Sequence, residues 1–120
     1  MSDYSVVVSG EIDMAPGVRE KTLSDAQPLI EAALAERGCR HYAWTADPAL
    51  PERIHVFEEW ESIETLAAHL VGEPYRRMAA HLQASGIVNA VTRKHRVDRV
   101  EPVYGSDGVA SAAFTQKVGS

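Results

Sequence analysis

The order of local signals in this chain predicts an α+β fold: a ferredoxin-like βαββαβ sheet with the helices on one face. Three observations carry that reading. Runs of β-branched and aromatic residues alternate with helical periodicities in the order strand, helix, strand, strand, helix, strand, the second helix being split. The stretch 53–70 passes from strand to capped helix within a few residues. The strands also carry apolar residues on both faces, Val7 as well as Val6 and Val8, Phe57 as well as Val56. Helices cover one face only, and a wet face is normally polar. The apolar pattern therefore predicts a second subunit packed sheet on sheet, a homodimer.

The first strand is expected over Tyr4–Ile12, and its run of three valines predicts burial on both faces. Asp13–Gly17 is a turn. The first helix spans about Pro16–Glu36, with Val18, Ala26, Leu29, Ile30, Ala33 and Leu34 as its apolar stripe. Pro28 lies inside it, lacks an N–H and clashes with the preceding turn, which predicts a kink or restart near Ser24-Asp25. Gly38 is the stop. The second strand, Cys39–Ala46, puts Tyr42 and Trp44 on one face and His41, Ala43 and Thr45 on the other. Asp47-Pro48-Ala49-Leu50-Pro51 is a turn.

The third strand, Arg53–Trp60, leads into Ser62, where a hydroxyl can accept a free N–H of the first helical turn. Glu61 and Glu64 suit the positive end of that helix. Ile63, Leu66, Ala67 and Leu70 form its expected apolar stripe, with His69 beside it. Gly72 ends this helix and Pro74 opens the next, which runs to about Ala84 with Tyr75, Met78, Ala79 and Leu82 inward. The last strand is expected over Ile87–Val103, broken or bulged near Arg96–Arg99. Residues 1–104 then read as one domain. Residues 105–120, small and polar, read as a flexible tail in which Phe114 is the side chain able to dock.

Composition narrows the function classes. The chain has 120 residues, 45% hydrophobic and 24% charged, the balance of one globular domain. No apolar run is long enough to span a bilayer, and MSDYS has no basic region ahead of an apolar stretch, so neither a membrane nor a secretory signal is expected. Cys39 is the only cysteine, which suits a reducing cytoplasm. A net charge of −5 argues against a nucleic-acid partner. The basic cluster 93–96 reads as a solvated strand. The sequence has no GxGxxG, no GKS or GKT, no CxxC and no HExxH, so neither a cofactor nor a metal is expected by motif.

The stretch ending Glu58-Glu59-Trp60, then Ser62, then a short helix to His69-Leu70, resembles the antibiotic biosynthesis monooxygenase (ABM) family. Pro16-Gly17, Gly38-Cys39 before Tyr42, and Asp47-Pro48 agree with it, and the resemblance covers about residues 4–100. It implies a dimeric α+β barrel. Family members that oxidise anthrone-type polyketides without a cofactor surround the substrate with an Asn, a Trp, a Tyr and an Arg; Trp60 is the residue that matches a motif position here. The one Asn, Asn89, lies on the last strand. Haem-degrading relatives carry an Asn on the first strand, where this chain has Ser9-Gly10-Glu11.

The residues themselves point to a small-molecule cavity. Tyr42, Trp44, Phe57, Trp60, His69, Tyr75 and His81 are expected to gather between sheet and helices, an aromatic lining with a few polar groups. Flat phenolic or quinol-like compounds stack on such rings. Oxidising an electron-rich phenol with O2 asks the protein for a base, a dry cavity and orientation, and a histidine titrates in the right range. The resulting expectation is a cofactor-independent monooxygenase with His69 as base, Trp60 as its wall, and Tyr42, Trp44, Phe57, Tyr75 and His81 as substrate contacts. Each residue also has a structural reading: Trp60 and Tyr75 as core, His69 as a helix-to-sheet bond, Cys39 as filler. Glu58, costly if buried alone, is expected to pair with Arg93 or Arg99 of either subunit. A non-catalytic binding or stress-associated dimer, or an aromatic polyketide isomerase or cyclase, is the alternative on the same fold.

Overall fold

The computed structural model describes residues 4–115. The elements are β1 (Ser5–Met14), α1 (Arg19–Asp25), α2 (Gln27–Leu34), β2 (Cys39–Ala46), β3 (Arg53–Trp60), α3 (Ile63–Leu70), α4 (Glu73–Ser85) and β4 (Ile87–Val97). The strands form one antiparallel sheet in the order β2-β3-β1-β4. This is the expected α+β ferredoxin-like arrangement, with two split βαβ units sharing the sheet.

The break in the first helix falls at Ala26, where α1 ends and α2 begins. Pro28 sits in the first turn of α2, where its missing N–H has no partner to lose. Ala26 is 1% exposed, so the joint itself is packed into the core. Gly38 closes the turn into β2 with φ of +80°. A Cβ there would collide with the Thr65 side chain, so the turn lies hard against the start of α3. Ser62 caps α3 as expected, its hydroxyl accepting from Thr65 N at 3.1 Å, while Thr65 Oγ1 accepts from Ser62 N at 3.1 Å.

The helix-side face of the sheet and the inner faces of the helices make the core, with Ile54, Trp60 and Met14 among its most enclosed side chains. The inner face of α3 is rotated from the expected stripe: Leu66 and His69 are buried, whereas Ile63 and Leu70 are 50% and 46% exposed. The histidine takes the inward position because a carboxylate and aromatic rings receive it there.

The other sheet face is mixed. Phe57 is 43% exposed on β3, with Val7 half-buried beside Ser9, Glu11 and His55. β4 ends at Val97, short of the expected Val103, and its register irregularity lies at the opposite end, beside Asp13/Met14. The strand ends opposite Ser5, where its neighbour β1 begins, and beyond it Arg99, Glu101 and Thr115 bond to one another, with Arg99 Nε donating to Glu101 Oε2 at 2.6 Å. Tyr104 and Ala110 then form an isolated bridge, and Phe114 is 62% exposed. Of the tail expected over 105–120, residues 116–120 lie outside the described residues. No helix among the described residues is long and apolar enough to cross a membrane.

Candidate functional site

A cavity of about 390 Å³ opens between the helix-side face of the sheet and the helices α3 and α4. That volume suits a small organic molecule. Four of the seven residues expected to gather here line it: Tyr42, Trp44, His69 and Tyr75. Strand alternation puts Tyr42 and Trp44 on the same side of β2, and helix packing brings His69 over them.

His69 is the centre of the arrangement. Its side chain is 1% exposed, and its Nδ1 lies 2.6 Å from Glu36 Oε1. A carboxylate only accepts, so Nδ1 carries a proton and donates, and in the neutral ring Nε2 is then the nitrogen with the lone pair. Among the described residues Nε2 makes no hydrogen bond. Glu36 follows α2 in the turn to β2, fixed at both sides: its N–H donates to Ala33 O at 3.0 Å and its carbonyl accepts from Cys39 N at 3.2 Å. The imidazole is enclosed by rings, at 4.5 Å from Trp60, 5.7 Å from Tyr42 and 5.6 Å from Tyr75 between centroids.

Trp60 lies under His69 rather than on the cavity surface. It is 0% exposed, and its Nε1 donates to Glu58 Oε1 at 2.9 Å. Glu58 does line the cavity. Within the protomer this indole is its hydrogen-bond partner, and among the described residues no Lys or Arg, Arg93 and Arg99 included, pairs with it. Burial raises its carboxyl above the usual value, the Trp60 hydrogen bond and the nearby His69 holding back part of the rise.

Burial also raises the Tyr42 phenol, with the neighbouring Glu58 adding to it, so this hydroxyl stays neutral near pH 7. Among the described residues the buried Trp44 indole N–H has no hydrogen-bond partner. Burial pushes the Cys39 thiol up to about 11, which leaves it protonated and a poor nucleophile.

Two expected contacts sit elsewhere. Phe57 points from the opposite face of the sheet, because it is one residue out of phase with Val56 and Glu58. His81 faces a separate hollow beside Asp25 and Pro28, and its Nε2 donates to Thr22 O at 2.9 Å. Glu36 and Glu58 are the polar residues the sequence did not reveal in these roles. Glu36 is 33 positions from His69, and nothing local marks a helix-end glutamate as its partner. Among the described residues no three His, Cys, Asp or Glu side chains cluster as metal ligands.

Buried imidazole held by a carboxylate, a second buried carboxyl and neutral aromatic walls together make a cavity suited to moving protons on a flat, apolar molecule.

Comparison with known proteins places this architecture. No curated protein matches the chain with significance. A candidate ABM from Deinococcus radiodurans shares 15% identity over 83% of this chain and 99% of its own, with a TM-score of 0.76. One from Chloroflexus aurantiacus shares 24% over 82% and 95%, with a TM-score of 0.66. A conserved protein of unknown function from Bacteroides thetaiotaomicron, described as a possible oxidoreductase, shares 20% over 79% and 99%, with a TM-score of 0.71. At these identities the likeness is one of fold. The family model of antibiotic biosynthesis monooxygenases matches residues 5–81, more than half of the chain. The chain belongs to the antibiotic biosynthesis monooxygenase family.

Proposed function

We propose that this protein is a cofactor-independent monooxygenase that oxidises a small phenolic, anthrone or quinol-like compound with O2, with His69 as general base. The observation that carries the reading is the buried Glu36–His69 pair at the cavity wall, 2.6 Å between Nδ1 and Oε1. Glu36 fixes the ring and its tautomer, so Nε2 is the nitrogen that takes a proton from the substrate. Trp60 supports the imidazole from below, and Tyr42, Trp44 and Tyr75 supply flat walls.

With an anthrone the chemistry balances as follows. His69 Nε2 removes a proton from the acidic ring carbon. The carbanion passes one electron to O2, the two radicals combine, and the peroxide anion takes the proton back from His69. Loss of water from the hydroperoxide leaves the quinone: one anthrone and one O2 give one quinone and one water. Four electrons pass from substrate to O2, so no other reductant is needed.

The functional unit in this reading is a homodimer joined through the sheet face opposite the helices. The 43% exposed Phe57 at its centre supports that arrangement, and light scattering of the purified protein tests it, a monomer at micromolar concentration opposing it.

A second reading is an isomerase or cyclase, supported by the same pairing of an imidazole with a second buried carboxyl, Glu58, which serves proton transfer without O2. The experiment is O2 uptake by the metal-free protein with a panel of anthrones and hydroquinones, repeated anaerobically. Stoichiometric uptake above the uncatalysed rate supports the monooxygenase. Product formed without O2 transfers the case to the isomerase, and no turnover in either condition counts against both.

A further inference from the structure

The Glu58 carboxyl sits in the cavity wall with only half of its hydrogen-bonding capacity accounted for. The residue is 8% exposed, and Oε1 accepts from Trp60 Nε1 at 2.9 Å. Among the described residues Oε2 has no hydrogen-bond partner, and it is not among the buried polar atoms left unsatisfied. The cavity is the open space beside it.

We propose that Glu58 is the second catalytic residue of this site, a protonated carboxyl whose Oε2–H delivers a proton to the departing oxygen while His69 acts as base. The proposal rests on the monooxygenase reading above and adds a named acid to it.

The surroundings favour a proton on this group. A buried carboxylate without a cation is costly, and protonation removes the charge. The titratable groups around it are the Tyr42 phenol and Cys39 thiol on β2, His69 on α3 and Glu36 in the turn before β2, and Arg93 and Lys94 of β4 line the same cavity. His69 is already bonded to Glu36, so its positive form would be shared between two acids. Lys94 lies in the same cross-strand row, paired with Val8 as Val8 pairs with Glu58. Two strand spacings, about 10 Å, separate them, and no ion pair forms. Burial raises the carboxyl, in line with this charge balance. The Trp60 bond settles which oxygen carries the proton: Oε1 accepts an N–H, so Oε2 is the hydroxyl.

The step it serves is the loss of water from the hydroperoxide. His69 Nε2 takes the remaining proton from the oxidised carbon, and that C–H pair becomes the second bond of the new carbonyl. The O–O bond breaks, and the leaving oxygen takes the Glu58 proton and departs as water. The proton on His69 returns through solvent to Glu58. Without the acid, hydroxide must leave unassisted, and the hydroperoxide lives longer.

The test compares the wild-type protein with Glu58→Gln and Glu58→Asp, reading O2 uptake and quinone formation separately with an anthrone as substrate. The expected result is a quinone yield per O2 consumed about tenfold or more lower in Glu58→Gln than in the wild type, with hydroperoxide accumulating. Glu58→Asp restores part of the yield. Infrared difference spectra at neutral pH read the same claim without turnover: a protonated carboxyl band is expected in the wild type and absent in Glu58→Gln. A full quinone yield in Glu58→Gln, or no such band in the wild type, overturns the proposal while leaving the monooxygenase standing. A wild-type protein that takes up no O2 overturns both.

Discussion

The tetrapeptide Ala-Ala-His-Leu occurs twice in this chain, at 67–70 in α3 and at 79–82 in α4, and the two copies bury opposite residues. In α3 the histidine goes in: His69 is 2% exposed and Leu70 is 46% exposed at the cavity rim. In α4 the leucine goes in: Leu82 is 7% exposed, and His81 is half-buried with its Nε2–H on the Thr22 carbonyl. Intrinsic helix propensity is identical, so the difference lies in what each helix meets. α3 meets a carboxylate, Glu36, and a floor of aromatic rings. α4 meets the apolar core and one backbone oxygen. One histidine thereby keeps a ring nitrogen without a hydrogen bond among the described residues at a cavity, and the other bonds to a backbone carbonyl.

Substitutions in the two copies sharpen that contrast. The largest stability effect is expected from the leucines. Leu82→Ala should cost about 2–5 kcal/mol and Leu70→Ala under about 1 kcal/mol, read from urea unfolding. Equal losses would mean that the two helices are rotated alike. A smaller effect belongs to Glu36. Glu36→Gln leaves the imidazole in place but frees its orientation and tautomer, so turnover should fall about 10- to 100-fold with little change in KM. An unchanged rate would remove Glu36 from the mechanism.

The smallest effects are in the pH dependence of stability, where two acids act with opposite sign. Glu58 is raised from its ordinary 4.5 by burial, so its contribution is full below that value and declines as pH rises through the raised one. Glu58→Gln should flatten the neutral-side decline. Asp47 is held at about 2 by the His55 ring and by the N–H groups of Leu50 and Ala49. Its contribution is present above the ordinary 3.8 and is lost as pH falls through about 2, so Asp47→Asn should flatten the acid side. Unfolding midpoints across about pH 2 to 9 distinguish the two, and profiles that match the wild type would refute both assignments.

The same contrast shows what the sequence could convey. Strand alternation and capping are local, so the element order, the Ala26 break near Pro28 and the Ser62 cap were legible. Tyr42 and Trp44 were placed together because a period of two fixes their face. Phe57 was misplaced by that very rule, being out of phase with Val56 and Glu58. The inward face of α3 was not legible, since Ile63 and Leu70 are the more apolar choice and only a distant glutamate makes His69 the better one. A buried acid ordinarily calls for an arginine, and nothing local to Glu58 points to another partner within the protomer. The indole two residues along the same strand took that place instead.

O2 uptake with an anthrone by wild type, His69→Ala and His81→Ala tests the role of the His69 Nε2 most directly. The expected result is a loss of about 100-fold or more in His69→Ala, partly restored by added imidazole, with His81→Ala within about twofold of the wild type. A His69→Ala protein that consumes O2 at the wild-type rate would contradict it.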